Sequence, residues 1–581
     1  MSVTGFLRLW VTTLVVHLAA SKVVMRPEGF LKLPTYTGAQ TFNAGTANRA
    51  AYDSVTNLLY VVGHDADVMQ IINMKDSLTN PVHARSIKFD PLNQGLPNDV
   101  KVCRGGLPTL EFLAISFETK NHAEQAHVHL YQLLEQPGDA LVRLKTVTTV
   151  EGYDPNSIAW HKDCTELVVV SQGTMHTLNG ELLDPKPSVD VLIPRLGLNV
   201  DRRTVPFSES AIQSARVRQV MTKCDTGSYT QLISHVQDLE PNYVVVDDNN
   251  IAYVLIQSNN AIGRMDLQDP LTPMSYHNMG RKDWSQYKID TSYEDGGLNQ
   301  RPHSMTSLYQ PRHAVAFTFA NKTWLATADT ANIRRHNIRS GSTTLCNFDE
   351  SAVGATWTRS NSFSSFLDAN TAAELKTNMS SNAVTGRMPF CQLKTFQDGY
   401  NPLQLSYSYL STYGGRGWSL IDASSMTRVY DSGDIMETFF SSSAATDSDK
   451  AVYNSYYQSA NSAQSQYVDR TSVNTGPNPT AIATGNINGT QVVVVANGNV
   501  GGLYTFSITL DDSGAPQVDF EGFLRRGSPG LTWADAYSRS DDAVGEPGIE
   551  DLLWIEDEGQ HVVVAISKIA GVASFYEVDL Q

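Results

Sequence analysis

The sequence predicts an all-β fold, a single β-propeller of about eight four-stranded blades with seven as the alternative, and three observations carry that prediction. The first is a short unit in residues 240–267, EPNYVVVDDNNIAYVLIQSNNAIGRMDL. Pro241 sets a turn and residues 243–246 form a β-branched run. Asp247, Asp248, Asn249 and Asn250 turn the chain, residues 251–257 make a second run, and after another turn residues 261–267 make a third. So small a sheet has open edges and two apolar faces, and it needs neighbours of its own kind. The second observation is that those neighbours exist: the same grammar returns at 51–74, 314–338, 407–430, 480–508 and 551–580, and more weakly at 110–134 and 157–193. The third is a proline before the first strand of many units, at Pro97, Pro155, Pro241, Pro311, Pro479 and Pro547. Proline fixes φ and donates nothing to a ladder, so it suits a strand's first residue. In a propeller these strands line the central channel, and their starting loops ring one mouth. Two readings follow: the prolines only start strands, or the side chains beside them also form a ligand site.

In chain order, residues 1–20 (MSVTGFLRLWVTTLVVHLAA) hold Arg8, an apolar stretch and closing small residues, which read as a cleavable secretory signal. The rest, residues 21–581, is expected to form the propeller. It holds no run of eighteen apolar residues, so no transmembrane segment is expected. The hydrophobic share of 41% can build a large core. The net charge of −17 disfavours nucleic acid and anionic membranes and suits cations, cationic mineral surfaces or basic partners. Two stretches break the strand rhythm. Residues 343–388 are rich in Ser, Thr, Asn and Ala, with TAAELKTNM as a short helix; residues 441–478 are rich in Ser, Asn, Gln and Tyr and read as a long surface loop.

Five cysteines allow two disulfides and leave one over. Cys346 with Cys391 is the expected pair, because it brackets the polar insertion; Cys103 with Cys164 is the second candidate. Asn321, Asn378 and Asn488 begin sequons and are the expected glycan acceptors.

The runs QDLEPNYVVVDDNNIAYVLIQSNNAIGRMDL, KDWSQYKIDTSYEDGG, STYGGRGWSLIDASSMTRVYDSGD and GPNPTAIATGNINGTQVVVVANGNVGGLYTFSI, in that order, resemble the choice-of-anchor I domain family, which includes mesenchyme-specific cell-surface glycoproteins of mineralised tissue. The resemblance implies a secreted or surface propeller, with bacterial relatives described as alkaline-phosphatase-like. It also implies acidic residues after the strand-starting prolines and acidic clusters ending some second strands. Here the prolines are followed by Asn98, Asn156, Asn242, Arg312, Thr480 and Gly548, and the cluster positions read SQGTM near Gln172 and ADTAN near Asp329. Losing those carboxylates removes hard oxygen ligands that calcium or a metal-activated phosphoester would need.

No catalytic residue is assigned. The Asp-Ser pairs at Asp53-Ser54 and Asp431-Ser432 lie in turn motifs without a histidine beside them. His64 with Asp65 and Asp67, and the group His122, His127 and His129, are the densest histidine patterns. Alternation puts His127 and His129 on one strand face, although no third ligand accompanies them. For calcium, the only cofactor expected, the candidate ligands are Glu546, Glu550 and Asp551 by the predicted mouth, with Asp431 and Asp434 in an acidic turn. Asp247 with Asp248, and Asp541 with Asp542, read as structural turns. The expected function is a secreted, non-enzymatic matrix or biomineral glycoprotein whose acidic surface meets matrix proteins or mineral. The alternatives are a metal-dependent phosphoesterase at the channel mouth and a carbohydrate- or protein-binding propeller.

Overall fold

The computed structural model describes residues 22–105, 111–119, 127–148, 153–195, 199–225, 230–269, 272–358, 369–395, 397–401, 403 and 406–581; the expected signal segment and His122 lie outside these. Blade four forms from the first unit described above. Tyr243–Val246, Ile251–Ile256, Ala261–Asp266 and Ser275–Asn278 pair in sequence order, each antiparallel to the last. Its first turn closes because Asp247 accepts, through Oδ1, the N–H groups of Asn249 and Ile251 at 2.9 Å each, while Asn250 adopts φ 62°, a left-handed value that asparagine tolerates.

Seven such four-stranded sheets are present among the described residues. Their innermost strands are Arg49–Asp53, Leu96–Arg104, Pro155–Trp160, Tyr243–Val246, Pro311–Phe319, Pro479–Ile487 and Ile549–Asp557, which define blades one to seven. Each innermost strand contacts the next, and the last contacts the first, so the ring is closed. Blade seven takes its outermost strand, Val23–Lys32, from the other end of the chain, with Val23 opposite Leu580.

The second strands read as unbroken β-branched runs because both their faces are buried. In blade six, Val492 and Val494 pack toward blade seven, whereas Val493 and Val495 pack with Trp324 and Trp418 of blade five. All four valines are fully buried. The core is thus a set of layers between adjacent sheets rather than one central mass.

The predicted eight units become seven because two of them are halves of one blade. Lys322–Asp329, from the unit at 314–338, pairs directly with Gly417–Asp422, from the unit at 407–430, with Trp324 opposite Asp422. Between these strands the chain leaves the sheet and makes its own hairpin of Arg335–Ser340 with Thr343–Asp349, the helix Ala369–Ser380 and the pairing of Ser351–Val353 with Pro389–Cys391. Three consecutive strand-like runs look alike in sequence whether the third joins the sheet or only a hairpin.

Residues 441–478 are not a loose surface loop. Val452, Tyr453, Asn454, Ser455, Gln464 and Ser472 are all buried there. The polar side chains that suggested a loop are used internally: Gln464 Nε2 donates to the Ala543 carbonyl at 2.8 Å, and Asn454 Nδ2 donates to Ser472 Oγ at 2.8 Å.

The expected Cys346–Cys391 pairing is overturned. Cys224 bonds Cys346, and Cys103 bonds Cys164, the second candidate. Cys391 is a buried free thiol that receives a hydrogen bond from Arg218 Nη2 at 2.8 Å. The reason is strand placement. Cys391 lies opposite Ser351 in a short ladder, while Cys346 lies in the preceding hairpin, which packs on Lys223–Asp225.

Candidate functional site

Hydrogen bonds at the strand starts link several neighbouring blades. Asn48 Nδ2 donates to the Asn98 carbonyl at 3.1 Å, Asn98 Nδ2 to the Pro155 carbonyl at 3.2 Å, and Asn242 Nδ2 to the Arg312 carbonyl at 3.1 Å. Thr480 Oγ1 donates to the Ile549 carbonyl at 2.5 Å. Three of the residues that follow the prolines, Asn98, Asn242 and Thr480, are therefore latches onto neighbouring backbone. Two buried carboxylates act alike. Asp99 Oδ2 accepts from the Ile158 N–H of blade three at 2.9 Å, and Asp551 Oδ2 from the Ala50 N–H of blade one at 3.0 Å.

Each carboxylate predicted as a calcium ligand already has a donor. Asp551 also faces His313 Nε2 at 3.4 Å and Arg49 Nη1 at 3.9 Å. Burial works against its charge, but His313, Arg49 and Lys101 outweigh burial and bring its pKa down to about 2. Glu550 pairs with Arg312 Nη2 at 2.5 Å; burial opposes its charge and Arg312 overcomes that, holding the carboxyl below its ordinary range. Glu546 accepts from the Tyr576 hydroxyl and lies 3.5 Å from Arg526 Nε; here burial prevails and its pKa is raised. Asp431 binds Lys282 Nζ at 3.0 Å and the Tyr309 hydroxyl at 2.7 Å, and Asp434 accepts from the Lys288 N–H at 2.7 Å. Five residues thus hold five different sets of partners.

The other candidates likewise have neighbouring partners. Asp53 is gripped by Arg104 at 2.7 and 2.6 Å, and buried Ser432 accepts from the Trp418 N–H at 2.9 Å. His64 joins Asp65 at 2.8 Å and Glu118 at 3.4 Å. His127 and His129 do share a face, their rings stacked with centroids 5.6 Å apart. His129 is buried with Nδ1 3.0 Å from the Tyr131 hydroxyl, and burial, helped by Arg143 and His127, pushes its pKa down to about 3. Of the sequons, Asn321 and Asn488 are exposed on turns of blades five and six, and Asn378 is half-buried on the helix Ala369–Ser380.

Sequence reasoning missed one group. Asp290, Asp295 and Asp469 each offer a carboxylate oxygen, and these oxygens lie within 4.8 Å of one another; it is the one such acidic, histidine or cysteine group among the described residues. Asp290 accepts from the N–H groups of Ser292 at 3.2 Å and Asn299 at 3.1 Å and from the Tyr453 hydroxyl at 3.1 Å. Gly296 at φ 104° and Gly297 at φ 100° take the loop through the left-handed region and return Asn299 to that carboxylate. Asp469 keeps only Ser472 Oγ, at 2.5 Å on Oδ1. Burial, opposed by the Ser472 bond and reinforced by the charges of Asp290, Asp295 and Glu437, lifts its pKa to about 7. The segment KIDTSYEDGG gave a partial signal through its spaced acids, but Asp469 comes from the stretch that read as a polar loop.

No curated protein sequence matches the chain. Among solved structures it is similar to a streptogramin B lyase, at 8% identity over 96% of this chain and 98% of that one, with a TM-score of 0.37. A virginiamycin B lyase from Staphylococcus aureus gives 7%, 96%, 99% and 0.37. The β-propeller domain of Cps50 (Swd1) from Myceliophteria thermophila gives 8%, 92%, 97% and 0.39. A family model, the choice-of-anchor I domain, matches residues 48–511, from the residue before the first strand of blade one into blade six. The disulfides agree with the extracellular or surface setting that such a domain suggests, and with the model spanning most of the ring, this chain belongs to the choice-of-anchor I domain family.

Proposed function

We propose that this chain is a secreted, glycosylated extracellular propeller that serves as a binding module for matrix proteins or calcium-bearing mineral. The observation that carries the reading is the commitment of the acids predicted for the mouth. Asp551, Glu550 and Glu546 are each held by neighbouring side chains, and Asn98 and Asn242, each after a proline, latch neighbouring blades. Recognition then falls to the outer surface, where the net charge of −17 makes many weak contacts with cationic partners.

Adsorption of the secreted protein to calcium carbonate and calcium phosphate, followed across a salt series, tests this. Retention at low ionic strength is expected, with release as salt approaches 1 M, where the screening length falls to about 3 Å. Adsorption that is absent, or indifferent to salt, overturns the reading. Hydrolysis of a phosphomonoester that disappears in Asp551→Asn would instead establish the phosphoesterase alternative.

A further inference from the structure

We propose that Asp290, Asp295 and Asp469 form one divalent-cation site of the calcium class, which clamps the loop between blades four and five to the segment between blades five and six. The donors are all carboxylate oxygens, with neither sulfur nor imidazole, which selects a hard cation. Two oxygens on opposite sides of a calcium ion, each at about 2.4 Å, stand about 4.8 Å apart. The three ligand oxygens here lie within 4.8 Å of one another, so one ion can reach all of them.

A second observation points to a ligand. Asp469 is only 4% exposed, and its Oδ2 is buried with no hydrogen-bond donor, while Asp295 beside it is half-buried next to the Asn299 side chain. A buried carboxylate oxygen without a donor costs free energy, and a cation supplies what it lacks. Nearby guanidinium groups are committed elsewhere. Arg416 is held by Glu437 Oε1 at 2.8 Å and by the carbonyls of Asp290 and Ser472, Arg301 donates to the Ala383 carbonyl, and Arg470 stacks on Tyr293. None of the three aspartates forms an ion pair among the described residues. The surroundings are already built for a fixed ion. Glu437 Oε2 accepts the Asp290 N–H at 2.9 Å, and Gln300 Nε2 reaches the Glu437 carbonyl at 2.8 Å and the Tyr453 hydroxyl at 3.2 Å. Remaining coordination positions would be filled by backbone carbonyls and water, as calcium's six to eight oxygens require.

The site goes beyond the proposed surface binding, because it is a single enclosed clamp rather than a diffuse acidic face. The test uses the full chain dialysed against chelator, titrated with calcium by calorimetry and with terbium by luminescence. Tyr453 touches Asp290 through its hydroxyl and is placed to sensitise terbium. One saturable site per chain is expected, with tyrosine-sensitised emission that calcium displaces and a melting temperature that rises with calcium. Asp295→Asn and Asp469→Asn remove charge while the amide oxygen can still accept from neighbouring donors such as Ser472 Oγ. Each is expected to weaken affinity by at least about tenfold, while leaving calcium-free melting unchanged or higher because buried like charges are relieved. Absence of saturable terbium emission in the wild-type protein overturns the proposal whatever the variants do. Affinity unchanged in both variants overturns it equally, since the cations would then sit elsewhere. Mineral adsorption should stay the same in both variants, which keeps this site separable from the surface-binding reading.

Discussion

At the scale of single residues, several charged groups fasten one blade to another, as Arg104 does with Asp53 and Arg312 with Glu550. His64 is the clearest titrating case. Burial by itself would lower its pKa, but the Asp65 and Glu118 carboxylates outweigh burial and raise it to about 9. The folded pKa exceeds the ordinary value of 6.5, so protonated His64 contributes stability in full below about pH 6.5; the contribution fades above that and is gone beyond about pH 9. A shift of this size corresponds to at most about 3 kcal/mol, and the exposure of Asp65 reduces it to roughly 1–2 kcal/mol. Chemical denaturation of wild type and His64→Gln at pH 6 and pH 9.5 measures this. The two proteins should differ at the lower pH and converge at the higher; a constant difference would assign the effect to packing. Gly485 is a different kind of fastener, since a Cβ there would lie 1.8 Å from the Trp554 ring of blade seven. Gly485→Ala should cost about 1–3 kcal/mol of unfolding free energy, the range for overpacked cores.

Among the elements, the disulfides connect pieces that strand pairing leaves apart. Cys224 and Cys346 are 122 residues apart in the chain, and their bond ties the short hairpin before blade four to the insertion of blade five. Replacing both with serine should cost about 2–5 kcal/mol, read as a lowered denaturation midpoint with the propeller's far-ultraviolet spectrum kept. Cys391, by contrast, is buried against Arg218, and burial pushes its thiol pKa up. Alkylation of the native protein should therefore leave Cys391 unmodified, and unfolding without reductant should add one label; a label acquired under native conditions would mean that the insertion opens. The sequence offered Cys103 with Cys164, but the partner of Cys346 was not legible in it. Cys346 and Cys391 bracket a polar stretch, but their strands belong to separate ladders.

For the whole molecule, closure is the decisive property. A propeller blade is stable only between neighbours, and the ring closes because Val23–Lys32 supplies the outer strand of the last blade. Removing residues 22–32 should expose the edge of Val572–Leu580 and cause aggregation at the expense of monomer, as size-exclusion chromatography would read; an unchanged monomer would mean that closure rests on the innermost strands alone. The repeat of apolar runs and turn residues determined the all-β propeller and the proline starts, because both depend on local alternation and backbone geometry. The continuous valine runs were legible for the same reason, since a strand buried on two faces has no polar side. Tertiary structure alone decided that two of the apparent units are one blade, that residues 441–478 pack with buried side chains, and that Asp290, Asp295 and Asp469 converge. The physical reason is common to all three: pairing, burial and charge neutralisation are settled between segments distant in the chain, and a local pattern of side chains does not record which distant segment arrives.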